Sequence, residues 1–329
     1  MTLNIIKINT EGQGQRLDKF LTNAWPEKSR SQIQKNIKEG LILVNKKESA
    51  VHYFLKENDV VSVVTVKKIN PEEKIKTPTK PKATKKTKNE LFKEIKIIED
   101  NDDFMIIEKP AGLLVHPTEK QENDTLVDWL LVKYPELKKI GEDPQRPAIV
   151  HRLDKDVSGL MVIPKNQDAF DYFKSQFKGR QLTKKYLALV EGEVEREEGE
   201  INFPIGRSKN KDGLYAAKPM SQKNDKDKTA LTRFKIAQRF KNYTLLEVEI
   251  LTGRTHQIRV HLLAYGHPIV GDSLYLPRHK NIKVLKHPLN RIFLHAFFLS
   301  FIDLKSQKQE FTSPLPETLN NFLKNLKTA

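Results

Sequence analysis

AIVHRLDKDVSGLMVIPK, residues 148 to 165, consists of an apolar approach, a charged turn and an apolar exit. Short apolar runs bounded by turn residues read as strands, so the charged residues His151, Arg152 and Asp154 sit where one run ends and the next begins. A carboxylate and a guanidinium two residues apart on such a turn reach outward from a rigid base, and that placement suits a reaction site. Taken alone, an aspartate here reads first as a turn cap. The rest of the chain has to decide between the two.

Around this turn, from Leu91 onward, the chain is dense in short apolar strands: IKIIED at 95–100, DFMIIEK at 103–109, GLMVIPK at 159–165, YLALVEG at 186–192 and YTLLEVEIL at 243–251. Helical stretches fall at Thr125 to Tyr134, Ala169 to Lys178 and Thr255 to Tyr265. The strands are not regularly separated by helices of crossover length, which predicts an α+β fold with a mixed, mainly antiparallel sheet and flanking helices.

The front of the chain reads differently. MTLNIIKINTEG alternates as a strand and has no signal-peptide pattern. Leu17, Phe20, Leu21 and Ala24 recur at helical spacing until Pro26. A second helix follows Ser29, a suitable N-cap, with Ile33 and Ile37 on one face and Gly40 as its stop. Leu41 to Val44, a turn at Asn45 to Lys47, and the apolar run Val60 to Val66 complete a small α/β module over residues 1–66. Arg16, Arg30, Lys35, Lys38 and Lys46 give it a cationic face suited to phosphates. Residues 67–90, with TPTKPKATKKTKN inside them, have no periodicity and read as a lysine-rich linker. The catalytic candidate then spans 91–329.

Composition narrows the partners. With 58 Lys and Arg against 42 Asp and Glu, the 329-residue chain carries a formal charge of +16, a field that attracts polyanions. The absence of cysteine excludes disulfides, iron–sulfur clusters and thiol nucleophiles. No apolar run approaches the roughly 18 to 20 residues that cross a bilayer, so a cytoplasmic protein without membrane contact is expected. His256 and His261 are five apart with no suitably placed Glu, which misses the helical zinc-enzyme pattern. No metal is expected.

VHRLDKDVSGL resembles the catalytic motif of the RluA/RluD pseudouridine synthases. The resemblance continues through EKPAGLLVHP at 108–117, KKYLALVEG at 184–192, PIGR at 204–207 and LTGRTHQIRVHLLAYGHPIVGDSLY at 251–275. QRLDKF at 15–20 and SRSQIQKNIKEGLILVNKK at 29–47 are similar to an S4 RNA-binding domain. Val157 departs from the threonine and Glu108 from the asparagine usual at those places, and both lie outside the assigned chemistry.

By position, the resemblance implies that Asp154 is the nucleophile, attacking ribose C1′ or uracil C6, so that the C–N bond breaks, uracil turns and a C–C bond forms. Carboxylates serve as covalent nucleophiles without a cofactor, and none is expected. Being ionised at neutral pH, such a group needs positioning more than activation. Arg259 is implied as its cationic partner, at about 4 Å worth on the order of 4 kcal/mol with an effective dielectric of 20. Tyr186 is implied to stack on the base and Arg152 to fill the space the base vacates. His151 and Ile258 are placed on the substrate side. The expected partner is RNA, foremost 23S ribosomal RNA, acted on by a monomer. The alternatives are the same reaction on tRNA, a non-catalytic ribosome-assembly factor, which would have lost Asp154, Tyr186 or Arg259, and a metal-dependent nuclease, which would need a carboxylate cluster.

Overall fold

The computed structural model describes residues 5–26, 29–38, 41–45, 47–63, 88–118, 123–208, 214–222, 224–277 and 289–328. The chain divides into two compact units, residues 1–82 and 83–329. Most of the segment read as a linker lies outside the described residues. Its last residues, from Lys88, begin a helix instead, α3 below.

In the first unit, β1 (Ile5–Lys7), α1 (Leu17–Ala24), α2 (Arg30–Lys38), β2 (Ile42–Val44), β3 (Lys47–Glu48) and β4 (Val60–Val63) form two helices on a sheet of order β1-β4-β2-β3. Leu17 and Leu21 of α1 and Ile33 and Ile37 of α2 are buried together with Ile42, Val44 and Val61 of the sheet. Ser29 caps α2: its Oγ accepts the Gln32 N–H, while Gln32 Oε1 accepts the Ser29 N–H. This reciprocal pair satisfies two otherwise orphaned helix donors. At the expected turn Asn45 takes φ 51°, a left-handed conformation that asparagine tolerates.

The second unit runs α3 (Lys88–Lys93), β5 (Lys96–Asp100), β6 (Phe104–Lys109), α4 (Leu126–Lys133), β7 (Ser158–Pro164), α5 (Gln167–Gly179) and β8 (Thr183–Glu191). It continues through β9 (Glu198–Ile201), β10 (Ile205–Arg207), β11 (Tyr215–Ala217), β12 (Thr232–Phe240), β13 (Tyr243–Ile250), α6 (Gln257–Ala264), β14 (Leu294–Ile302), β15 (Lys308–Thr312) and α7 (Glu317–Lys324). Nine strands make one sheet of order β5-β6-β7-β14-β8-β13-β12-β9, with β15 beside β14. All its pairings are antiparallel except β7 with β14. The fold is therefore α+β.

Both faces of the centre are covered, which is why β6 and β7 read as unbroken apolar runs. Met105, Ile107, Met161 and Ile163 point into the larger core with Leu126 and Leu130 of α4. Their neighbours Phe104, Ile106, Leu160 and Val162 point the other way, against Ala169 and Phe173 of α5. Period-two alternation with an apolar layer on each side produces that pattern.

Gly159 marks where the charged turn enters this sheet. Its φ is +130°, and a Cβ there would stand 2.2 Å from the Ala296 carbonyl oxygen. Only glycine lets β7 approach β14 so closely.

Candidate active site

A cavity of 440 Å³ opens at this end of the sheet, lined by residues 149–154 of the turn, by Tyr186 of β8 and by residues 250–259. That volume lies within the range of small-ligand sites, about 300–1,000 Å³. The turn is held from below. Leu153 and Val157 are buried, and the Lys155 carbonyl accepts hydrogen bonds from the Gly112 N–H at 2.8 Å and from Lys109 Nζ at 3.2 Å. Lys109 is fully buried and also donates to the carbonyls of Pro110 and Leu113, each at 2.8 Å. Three carbonyls match the three protons of an ammonium. Burial, with Arg291 nearby, pushes the Lys109 pKa down to about 7, and the three carbonyls favour its charged form. No pattern in EKPAG marks this lysine as internal. Its contacts across the turn are what define its role.

Asp154 is 17% exposed at the cavity floor, and Arg259 Nη1 donates to its Oδ2 at 3.2 Å. Arg259 belongs to α6 and is only 5% exposed. Its other edge is committed to Asp272, with Nε to Oδ2 at 2.7 Å and Nη2 to Oδ1 at 2.8 Å. Burial opposes the guanidinium charge, but the two carboxylates outweigh it and raise the Arg259 pKa. Asp272 is held below the carboxylate range because Arg259 outweighs its own burial. Asp272 lies within the motif at 251–275, yet spacing alone does not distinguish it from any loop aspartate.

The helix bearing Arg259 starts two residues later than the periodicity predicts, at Gln257, because His256 takes φ 55° and ψ 25°. Gln257 fixes this start. It donates to the Leu231 carbonyl and Thr232 Oγ1 and accepts from Thr252 Oγ1 and the Arg254 N–H. His256, which the sequence sets only against a metal-site pattern, has its Nε2 3.9 Å from Asp154 Oδ2. His261, at the far end of that comparison, is buried and uses both nitrogens within the core, on Thr232 Oγ1 and the Phe203 carbonyl. No cluster of His, Asp and Glu with the make-up of a metal site occurs among the described residues.

Tyr186 is buried in β8, between β13 and β14, and lines the cavity. Burial, reinforced by Asp154, raises its pKa, so the phenol keeps its proton. Ile258 is buried and lines the same wall. Arg152 is exposed at the rim and donates to His116 Nε2 at 3.2 Å.

His151, expected on the substrate side, lines the cavity and is anchored on its inner side. Its Nε2 accepts the Val162 N–H at 3.0 Å, and its ring stacks on Phe177 at 4.7 Å. Burial, with Lys184 nearby, pushes its pKa down to about 3, so it is neutral and ties the charged turn to β7. Lys184 lies over Phe177, 4.7 Å from the ring centroid. Burial lowers its pKa to about 8.

In the first unit, Asp18 is completely buried and collects both predicted arginines. Arg16 donates from Nε and Nη2 at 3.1 and 3.0 Å, Arg30 from Nε and Nη2 at 3.2 and 2.9 Å, and Gln34 Nε2 at 2.8 Å. Arg16 Nη2 also meets His52 Nδ1 at 2.6 Å. Lys35 and Lys38 fall within α2, but their side chains lie outside the described residues, as does the whole of Lys46.

A family model described as RNA pseudouridylate synthase matches residues 103–264, and one described as S4 domain matches residues 15–61. An uncharacterized RNA pseudouridine synthase of Bacillus subtilis is 34% identical over 98% of this chain and 97% of its own length. The ribosomal large subunit pseudouridine synthase C of Vibrio vulnificus is 32% identical over 99% of this chain and 98% of its own. The solved structure of human RNA pseudouridylate synthase domain containing 1 covers 72% of this chain and 90% of its own, with a TM-score of 0.57 and 25% identity. With a carboxylate, a buried cation and a tyrosine around one cavity, and relatives along its whole length, the chain belongs to the RNA pseudouridine synthases. It is an isomerase acting on RNA, preceded by an S4 domain.

Proposed function

We propose that the chain isomerises uridines of large-subunit ribosomal RNA in the cytoplasm, with Asp154 as the nucleophile. The observation that carries the catalytic reading is the Arg259–Asp154 hydrogen bond of 3.2 Å at the floor of the cavity. It holds a carboxylate where a base can enter, and a charge-assisted bond of this kind fixes direction. Tyr186 offers a neutral ring against which uracil lies while its glycosidic bond is broken and remade. Arg152, exposed at the rim, occupies the space that the base leaves in the RNA stack and offsets part of the few kcal/mol of unstacking. The substrate assignment draws on the Vibrio relative, named for the large ribosomal subunit, and on the cationic S4 domain.

Pseudouridine mapping of total RNA from cells with and without this protein tests both parts. Sites should vanish from large-subunit RNA and return with the wild-type chain but not with Asp154→Asn, whose rate should fall on the order of 10³-fold or more. Sites lost from tRNA instead would move the substrate. Restoration by Asp154→Asn would remove Asp154 from its role.

A further inference from the structure

His256 stands beside Asp154 in a left-handed backbone conformation, which strains a residue other than glycine and clusters at functional sites. Its Nδ1 lies 2.7 Å from the Tyr275 hydroxyl. That hydroxyl accepts the Tyr215 N–H at 3.2 Å, and its single proton is available to the imidazole. A ring that accepts at Nδ1 carries its own proton on Nε2, and Nε2 is the atom facing Asp154.

Tyr275 is itself fixed. The Arg259 guanidinium lies 4.9 Å from its ring centroid, and Asp272 Oδ1 accepts its backbone N–H. The residue that clamps Arg259 thus also sets the hydroxyl that sets His256. Around the imidazole, burial dominates and lowers its pKa, with Asp154 and Asp272 opposing and Arg259 and Arg152 assisting. That keeps the ring in its single-proton form at neutral pH.

Both donors approach the same oxygen. Arg259 Nη1 is 3.2 Å and His256 Nε2 3.9 Å from Oδ2, and no described donor bonds to Oδ1. We propose that His256, with its proton directed to Nε2 by Tyr275, is a positioning residue that secures Oδ2 of Asp154 beside Arg259 and leaves Oδ1 as the attacking oxygen. This rests on Asp154 being the nucleophile. The Nε2 contact shortens to a hydrogen bond when the site closes on RNA, as catalytic bonds do on passing from the free to the bound enzyme. A lone pair of Oδ1 forms the new C–O bond: at C1′ the C1′–N1 bond breaks and its pair stays on N1, whereas at C6 the C5=C6 π bond opens, its pair passes through C5 onto the C4 carbonyl oxygen, and the C1′–N1 bond breaks afterwards. Oδ2 becomes the acyl oxygen, still accepting from both donors. In either course C5 bonds to C1′, the C–O bond to Asp154 breaks with its pair returning to Oδ1, C5 gives up its proton to solvent and N1 takes one up.

The test is single-turnover pseudouridine formation by the full chain on total RNA from cells lacking this protein, in which its target uridines are unmodified. His256→Ala should slow the maximal rate about 100-fold, the order seen when one preorganised donor is removed, and should leave the half-saturating concentration within about twofold. His256→Gln, whose amide N–H reaches the same region, should recover to within about tenfold of wild type, and Tyr275→Phe should be about tenfold slow. A wild-type rate in His256→Ala, or a change in half-saturation alone, overturns the proposal. If His256→Ala does not fold, Tyr275→Phe decides, and a wild-type rate there overturns it equally. Asp154→Asn separates the two readings. If that variant turns over, the nucleophile assignment fails and this proposal with it, whereas an inactive Asp154→Asn beside a fully active His256→Ala overturns the His256 proposal alone.

Discussion

The two units solve the burial of charge in opposite ways. In the catalytic unit one buried cation, Arg259, is shared by two carboxylates, of which Asp272 is 1% exposed and Asp154 17%. In the S4 unit one fully buried carboxylate, Asp18, is shared by two arginines whose side chains are 29% and 48% exposed. The first cluster presents an anion to a cavity, where we propose that it reacts with a base. The second leaves guanidinium groups partly exposed to solvent, where we propose that they meet phosphates. In each, the fully buried partner holds the exposed one in place, because a buried charge is tolerated only when it is paired and hydrogen-bonded.

The largest effect should come from removing the hidden carboxylate of the catalytic cluster. Asp272→Asn leaves Arg259 buried with a single anion, and breaking a buried pair costs about 3 kcal/mol or more. The melting temperature should fall, and single-turnover isomerisation should slow by about 100-fold as the guanidinium turns away from its present contact with Asp154. A variant that melts and reacts like the wild type would show that Asp272 is no clamp.

The equivalent change in the S4 unit should separate stability from chemistry. Asp18→Asn should destabilise that unit by about 3 kcal/mol, followed by Trp25 fluorescence in a Trp129→Phe background. The rate at saturating RNA should hold within about threefold, a retention that would fail if this cluster took part in catalysis.

Acid should imitate this variant. Burial would raise the Asp18 pKa, but Arg16, Gln34 and Arg30 outweigh it and hold the group below its ordinary range. A depressed folded pKa means that the stabilisation is complete above the unfolded value near about 3.9 and is lost as pH falls from there through the folded value. The Trp25 transition should therefore weaken below about pH 4 in the wild type and much less in Asp18→Asn. Parallel curves would break the comparison.

The smallest effect belongs to the exposed partner. Arg30→Gln should weaken RNA binding by no more than about tenfold and reduce the slope of log affinity against log salt by about 1, while the saturated rate stays the same. An unchanged slope would mean that this guanidinium serves only Asp18.

What could be read along the chain was local. The strand after the charged turn, the helices at 126–133 and 167–179 and the capped helix after Ser29 follow from periodicity and capping within a few residues, whereas the apolar run at 148–150 before the turn forms no strand. The turn bearing Asp154 and the arginine of QIRVH were recognisable as motifs for the same reason. The Val162 partner of His151 could not be read along the chain because it lies across a turn, where helical or strand spacing says nothing about which backbone group a ring meets.

By itself the sequence determined the class of fold, the presence of a cationic front module and the string that carries the proposed nucleophile, since each depends on neighbours in the chain. Tertiary structure alone decided how the other charges pair. Asp272 takes the far edge of Arg259, Asp18 takes both Arg16 and Arg30, and Lys109 closes under the charged turn. A hydrogen bond depends on ångström distances set by sheet register and helix placement, and those follow from packing of the whole unit, which no local pattern contains.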